Sequence, residues 1–245
     1  MIKNVLRRAL RRLGYDLVRY PSPDFSDTDL GLIREVQPYT LTTPERLFAL
    51  VRATEHIVCH QVPGEIVECG VWRGGSMMAV ARTLMRLGDT GRGLYLFDTF
   101  EGMPSPSEAD LHFTGRAAAA LLRGPRSIDD GNWAYAPLEA VRTAVLGVGY
   151  DPAKIRFVVG KVEDTVPAQA PEQIALLRLD TDWYESTRHE LIHLLPRLVS
   201  GGVLIIDDYG HWLGARKAVD EYFGEHGVDI LLNRVDYSAR IGVKR

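Results

Sequence analysis

The chain has 245 residues, 46% of them hydrophobic and 25% charged, with a formal net charge of -3. That describes a soluble globular protein of one domain or slightly more, and no apolar run of about 18 residues is present to insert stably in a membrane. Two cysteines, Cys59 and Cys69, are too few for a disulfide framework, so a reducing cytoplasm is expected, and the mildly acidic balance argues against a nucleic-acid partner.

The charge is unevenly spread. Residues 1–20 carry six basic side chains against Asp16, a local balance of +5 that leaves -8 for the remainder. Ile2, Val5, Leu6, Ala9, Leu10, Leu13 and Leu17 recur at helical spacing with arginines on the other face, which predicts a basic amphipathic helix. Such a helix packs on the body or on a second subunit, or it binds a membrane surface or nucleic acid. Arginines interrupt the apolar centre that a cleaved signal peptide would need. Pro21, Ser22, Pro23 and the acidic stretch from Asp24 to Asp29 read as a linker. Residues 1–37 are therefore expected to be basic helix plus linker, and 38–245 the main domain.

From residue 40 helical patterns alternate with short apolar runs. Thr43-Pro44-Glu45 supplies a capping hydroxyl, a proline at the first helical position and an acid in the first turn, so a helix is predicted from there to about Cys59. A strand is predicted over Glu65–Cys69, then a glycine-bearing turn, then a helix over Ser76–Leu87. Leu94–Phe97 is the next strand, ending on Asp98. Residues 104–135, rich in Pro, Ser, Gly and Ala, read as a mobile flap. A helix over Pro137–Leu146 precedes strands over Ile155–Val159, ending at Gly160, and Ile174–Leu179, stopping at Asp180. A helix over Tyr184–Val199 is expected to end at Gly201-Gly202, followed by a strand over Val203–Ile206 that stops at Asp207. A helix over 212–226 and two β-rich runs, 228–233 and 238–243, close the chain. This alternation specifies an α/β fold, a mostly parallel sheet with helices on both faces and an antiparallel edge.

Four predicted strands stop in or beside an acid: Glu68, Asp98, Asp180 and Asp207. Ligands of open α/β sheets bind beyond the carboxyl ends of the strands, so these acids meet one another and the ligand. In Val67-Glu68-Cys69-Gly70-Val71-Trp72-Arg73-Gly74-Gly75-Ser76 the glycines permit close backbone approach, and the following helix offers free amides. Asp98, 23 residues after Gly75, stands where an acid grips ribose hydroxyls. The spacing is not G-x-G-x-x-G and no Walker lysine follows, which disfavours a nicotinamide dinucleotide or a triphosphate. Glu68 and Asp98 together suit a ligand with an amino group and a ribose, such as S-adenosylmethionine. Asp180, Asp207 and Asp208 fall at neighbouring strand ends if those strands pair, and three close carboxylates repel unless a cation sits among them. An all-oxygen set suits Mg²⁺, which acidifies and orients a substrate hydroxyl. The plainer alternative is capping by Asp182 and turn formation by Asp207-Asp208.

At these residues the sequence resembles the macrocin O-methyltransferase family, enzymes dependent on S-adenosylmethionine and Mg²⁺ that methylate sugar hydroxyls in antibiotic biosynthesis. The resemblance spans roughly residues 38–245 and rests on Tyr39-Thr40 with Pro44-Glu45-Arg46-Leu47, VECGVWRGGS, FDTFEGMP (97–104), LRLDTDWYEST (177–187) and GGVLIIDDYGHW (201–212). It implies a Rossmann-like methyltransferase sheet of order 3-2-1-4-5-7-6 with the last strand antiparallel. It implies metal ligation by Asp180, Asp207 and Asp208, and Asp182 as general base. Glu68, Gly70 and Ser76 would line the methionine end of the cofactor, Asp98 with Thr99 the ribose, and Gly160 to Asp164, including Glu163, the adenine. Residues 39–47 and 104–135 would act as lids, and the resemblance implies a homo-oligomer.

The resulting expectation is in-line methyl transfer to the hydroxyl of a glycoside or other hydroxylated small molecule. Asp182 takes the proton, and His211 is the rival base. His189 and His193 are expected to play surface and core roles. Trp72, Trp183, Tyr184 and Trp212 form either a stacking wall or core. Arg73 meets either the cofactor carboxylate or a surface acid. Two other readings use the same residues: a phenol or catechol methyltransferase, and a cofactor-binding module recruited by its basic helix.

Overall fold

The structure, a computed structural model, describes residue 7 and residues 10–15, 21–122 and 133–245. Most of the basic N-terminal segment, and 123–132 of the expected flap, lie outside the described residues. The acids read as linker instead open a helix, α1 (Asp27–Val36). Ser26 Oγ accepts from the Asp29 amide at 3.2 Å while the Asp29 carboxylate accepts from the Ser26 amide at 3.0 Å. This capping box explains why acids cluster there: they satisfy free amides and face the positive end of the helix dipole. Ile33 and Val36 then bury against the main core.

Seven strands form one sheet: β1 (Glu65–Cys69), β2 (Leu94–Asp98), β3 (Ile155–Val159), β4 (Ile174–Leu179), β5 (Leu198–Ile206), β6 (Asn233–Arg234) and β7 (Arg240–Val243). Their order is β3-β2-β1-β4-β5-β7-β6, with β7 antiparallel to β5, as the resemblance implied. Side chains alternate between faces along each strand. Ile66, Leu96 and Leu176 join one core with Leu47, Leu50 and Ile57 of α2 (Pro44–Cys59) and Met77 and Leu84 of α3 (Gly75–Leu87). Val67, Phe97, Leu177 and Leu204 face the other core, with Leu191 and Leu194 of α7 (Tyr184–Leu194) and Val219 and Tyr222 of α8 (Leu213–His226). Three shorter helices follow the same fold: α4 (Ala118–Leu121), α5 (Leu138–Leu146) and α6 (Val162–Thr165).

Three elements differ most from the sequence expectation. Helix α7 stops at Leu194, not Val199, because Pro196 cannot donate to a continuing helix and the chain passes through a 3₁₀ turn, Leu195–Arg197. The glycine pair is therefore not a helix stop. Gly201-Gly202 lies inside β5, where the register against β4 shifts between Ile174 and Leu176, and Gly201 takes φ +78° while its amide donates to the Lys244 carbonyl at 2.7 Å. The β-rich run 228–233 contributes only the first residue of the two-residue strand β6.

Candidate active site

A cavity of about 530 Å³ opens at the carboxyl ends of β1, β2, β4 and β5. Gly70, Ser76, Asp98, Thr99, Gly160 and Glu163 line it from the β1–β3 half of the sheet, and Asp180, Asp182, Asp207 and Asp208 from the β4–β5 half. Gly70 is what lets the two halves touch: at φ +84°, a Cβ there would stand 1.9 Å from the Asp180 carbonyl oxygen. Gly70→Ala is therefore expected to displace Asp180 by an ångström or so. Such an error costs about 10²-fold in rate, to be read as kcat with unchanged far-ultraviolet circular dichroism.

Asp98 is held rigid before any ligand arrives. Its Oδ2 accepts from the Val71 and Trp72 amides at 2.7 and 3.0 Å, and its Oδ1 from the Phe100 amide at 2.7 Å. Burial still raises its pKa above the ordinary value. Trp72 adopts φ +47°, and its buried indole Nε1 has no hydrogen-bond partner. A bulky residue in the left-handed region is rare outside sites that need it. Glu163 accepts from Ser186 Oγ at 2.8 Å. Two residues expected on the cofactor stand off the wall: Asp164 is exposed, and Glu68 is buried outside the lining, bonded to Arg178, which does line the cavity.

On the other side the acids converge. Asp180, Asp207 and Asp208 present carboxylate oxygens all within 4.8 Å of one another. The Asp182 amide donates to Asp208 Oδ2 at 3.1 Å, and Trp212 Nε1 donates to Asp182 Oδ1 at 2.6 Å. Asp182 sits at φ +67°, a conformation that Asp and Asn tolerate better than other side chains. Burial, reinforced by Asp180, pushes the Asp182 carboxyl up to about 7. Burial, with Asp182 and Asp207 adding repulsion, drives Asp208 well above the carboxylate range. Asp180 moves the same way by burial, despite Arg178 beside it.

Two arginines answer part of this charge. Arg178, buried in β4 at the register position opposite Glu68, gives Nη1 to Glu68 Oε1 (2.6 Å) and Asp180 Oδ2 (2.8 Å), and Nη2 to Asp207 Oδ1 (2.7 Å) and Thr42 Oγ1 (3.0 Å). Arg46 of α2 bonds Asp207 Oδ2 and, at 2.7 Å, Asp236 Oδ2. Glu68, Asp180, Asp207 and Asp236 thus share Arg46 and Arg178, with Asp182 and Asp208 bonded to each other beside them, more carboxyls than the two guanidiniums can neutralise. The set fits a hard divalent cation. Asp180, Asp207 and Asp208 would hold it, an all-oxygen donor set of the kind Mg²⁺ takes.

Segment 104–122 is anchored rather than free. Trp183 Nε1 donates to the Pro104 carbonyl at 3.0 Å, Asp110 Oδ1 accepts from the Tyr184 amide at 2.8 Å, and the Phe113 amide donates to the His211 carbonyl at 2.9 Å. Ala118, Leu122, Trp183, Trp212 and Ala215 form a small core of their own. Trp183 and Trp212 are therefore core residues, although Trp212 also reaches the cavity with Trp72. Tyr184 points its hydroxyl to Glu221 at 2.7 Å. His211 Nδ1 faces the Tyr237 hydroxyl at 3.0 Å, and burial lowers its pKa to about 4. His189 Nε2 faces the Val166 carbonyl at 3.0 Å.

The sequence matches the family described as macrocin-O-methyltransferase (TylF) over residues 1–241. The chain belongs to the macrocin O-methyltransferase family. It is 36% identical over 214 residues, covering 87% of this chain and 78% of the relative, to the 8-demethyl-8-(2,3-dimethoxy-alpha-L-rhamnosyl)-tetracenomycin-C 4'-O-methyltransferase of Streptomyces olivaceus. It is 32% identical over 205 residues (81% of this chain, 75% of the relative) to the mycinamicin III 3''-O-methyltransferase of Micromonospora griseorubida. The solved structure of the O-methyltransferase NovP superposes with a TM-score of 0.72 at 29% identity, over 84% of this chain and 82% of that one. The protein is accordingly an O-methyltransferase of Rossmann-like fold.

Within this family fold, the residues that sequence reasoning overlooked are the two cations. Arg178 carried a readable signal, since it interrupts an otherwise apolar strand, Ile174–Leu179, beside Asp180. Arg46 carried none, because its partners Asp207 and Asp236 lie 161 and 190 residues away.

Proposed function

We propose that this protein transfers the methyl group of S-adenosylmethionine to a sugar hydroxyl of a natural product in antibiotic biosynthesis, with Mg²⁺ held by Asp180, Asp207 and Asp208. The observation that carries this reading is one continuous cavity joining the Gly70 turn and Asp98 to the acid trio. The relatives' named activities on glycosylated antibiotics support the acceptor class. The methyltransferase unit is residues 38–245, with α1 docked on it.

When bound, the cofactor supplies a methyl already activated by its sulfonium, and the cation acidifies a coordinated hydroxyl. The chain does the rest. Glu68 acts from behind the cavity wall, holding Arg178 with Oε1 while its buried Oε2 has no partner; burial holds Glu68 at about 7 even with Arg178 alongside. Asp98, fixed by three amides, turns the remaining acceptor position of Oδ1 to the ribose, with Thr99 beside it, and Gly160 and Glu163 border the adenine end. Gly70 and Ser76 flank the methionine portion. Asp182, oriented by Trp212, accepts the hydroxyl proton as the oxygen attacks in line. The task is positioning and charge stabilisation more than activation.

The test is label transfer from methyl-labelled S-adenosylmethionine to a panel of rhamnosides and catechols, with and without EDTA, analysed by mass spectrometry. Chelator-sensitive labelling of the rhamnosides is expected. Labelling confined to catechols, or unaffected by chelation and metal replacement, overturns the acceptor or the metal assignment respectively.

A further inference from the structure

Asp182 owes its unusual backbone to a three-residue turn. The Trp183 amide donates to the Thr181 carbonyl at 2.8 Å across Asp182, whose φ is +67°. A bond to the carbonyl two residues back, around a centre of positive φ, is the rare and strained hand of the γ-turn. Such a conformation persists only where the surroundings over-determine it. One side of the turn is fixed by Trp183, which is buried and gives its Nε1 to the Pro104 carbonyl at 3.0 Å. On the other side stands Thr181, whose Oγ1 donates to Glu190 Oε1 at 3.0 Å.

Glu190 breaks the ordinary rule of burial. It is 0% exposed within α7, next to the core residue Leu191, and its Oε2 is buried with no partner. No basic side chain acts on it among the described residues, and burial, with Glu163 nearby, raises its carboxyl well above the ordinary range. Acids are almost never fully buried unless paired. Its neighbours are the Thr181 hydroxyl and the Cys69 thiol at the end of β1. Glu190 does not line the cavity, whereas Thr181 does, as does Ser186, one helical turn earlier on the same face of α7. Leucine at 190 would fill the core with no carboxyl to desolvate.

Resting on the reading above, in which Asp180 and Asp182 serve the transfer, we infer that Glu190 is a positioning residue: it holds Thr181 from behind the cavity wall and so locks the γ-turn that fixes the carboxylates on either side of Thr181. The carboxyl costs stability and is kept because the turn needs an acceptor at that depth.

Three substitutions read this out. Glu190→Met keeps the length of the side chain and removes the acceptor. Thr181→Val keeps the shape and removes the donor. Glu190→Gln keeps an acceptor oxygen for the hydroxyl. With an acceptor that the labelled panel shows to be methylated, Glu190→Met and Thr181→Val should each lose about ten- to a hundredfold in kcat, the scale of a misplacement near 1 Å. The double variant should lose no more than either alone, and KM for S-adenosylmethionine should not change. Its melting temperature should match or exceed the parent's, because replacing both partners of a buried hydrogen bond by apolar groups is close to neutral or stabilising. Glu190→Gln should recover most of the rate. The near-ultraviolet circular dichroism of Trp183 and Trp212, whose rings meet at 5.0 Å beside the turn, should change in the Met and Val variants while the far-ultraviolet signal stays the same. Full turnover in Glu190→Met, rates that fall in step with melting temperature, a Gln variant as slow as the Met one, or an unchanged near-ultraviolet spectrum each overturns the inference. A changed spectrum in both variants of a protein that methylates nothing in the panel would uphold the anchor and refute the acceptor reading beneath it.

Discussion

Asp182→Asn is expected to lower kcat by about 10²–10⁴-fold, the usual contribution of a positioned general base, with cofactor affinity and melting temperature close to the parent. Asn is the informative replacement because the backbone at 182 is left-handed, at φ +67°. Asn tolerates that region about as well as Asp, whereas Ala would add backbone strain to the lost carboxylate. The Asn amide oxygen still accepts from Trp212 Nε1, so orientation survives and proton acceptance alone is removed. A companion variant, His211→Gln, is expected to lose less than about tenfold. His211 faces the Tyr237 hydroxyl, and burial has pulled its pKa down to about 4, so it is too weak a base for an alcohol near neutrality. If Asp182→Asn retains full turnover, or if His211→Gln is the more damaged of the two, the base has been misassigned.

Much of this architecture was legible because local chemistry and global fold agree. The strand-ending acids Asp98, Asp180 and Asp207 sit at or just beyond the ends of their strands because largely apolar runs stop where side chains must meet ligand or water. The capping triplet Thr43-Pro44-Glu45 starts α2 at Pro44, with Thr43 Oγ1 accepting from the Arg46 amide. Misreadings arose where tertiary structure overrode a local signal. Gly201-Gly202 looked like a helix terminus but serves as an irregularity in β5, because the sheet reclaims the chain at Leu198. The acids after Pro23 looked like solvated linker, yet Ser26 and Asp29 form a cap whose value depends on Ile33 and Val36 finding a core several turns of sequence away. The proline- and glycine-rich stretch after residue 104 showed no periodicity because Trp183 and Trp212, far downstream, hold it in place. The pairing of Arg46 with Asp207 and Asp236 is likewise a product of topology, invisible to any window.

Arg178→Met should cost about 3–5 kcal/mol of stability, the range for removing one partner from a buried ionic cluster, and so lower the melting temperature by roughly 6–20 °C for a chain of this size. Arg178 is 2% exposed, and its guanidinium is shared among Glu68, Asp180 and Asp207, one carboxylate from each of three adjacent strand ends. Removing it leaves Glu68 and Asp180 without their buried counter-ion, while Arg46 still reaches Asp207. Arg178→Lys keeps the charge but replaces the planar fork by a single point donor, and should fall between parent and Met variant. The proposed metal site sharpens the expectation. A divalent cation binding only the folded form stabilises it by mass action, and in Arg178→Met it would also take over neutralisation of Asp180 and Asp207. Millimolar MgCl₂ should therefore raise the melting temperature of the Met variant by more than it raises that of the parent, while NaCl at matched ionic strength should not. Equal Mg²⁺ shifts in both proteins would separate Arg178 from the acid trio electrostatically. A Met variant that melts within about 2 °C of the parent would show that the cluster tolerates its own repulsion, and that the argument from buried charge, on which the cation assignment also leans, is wrong.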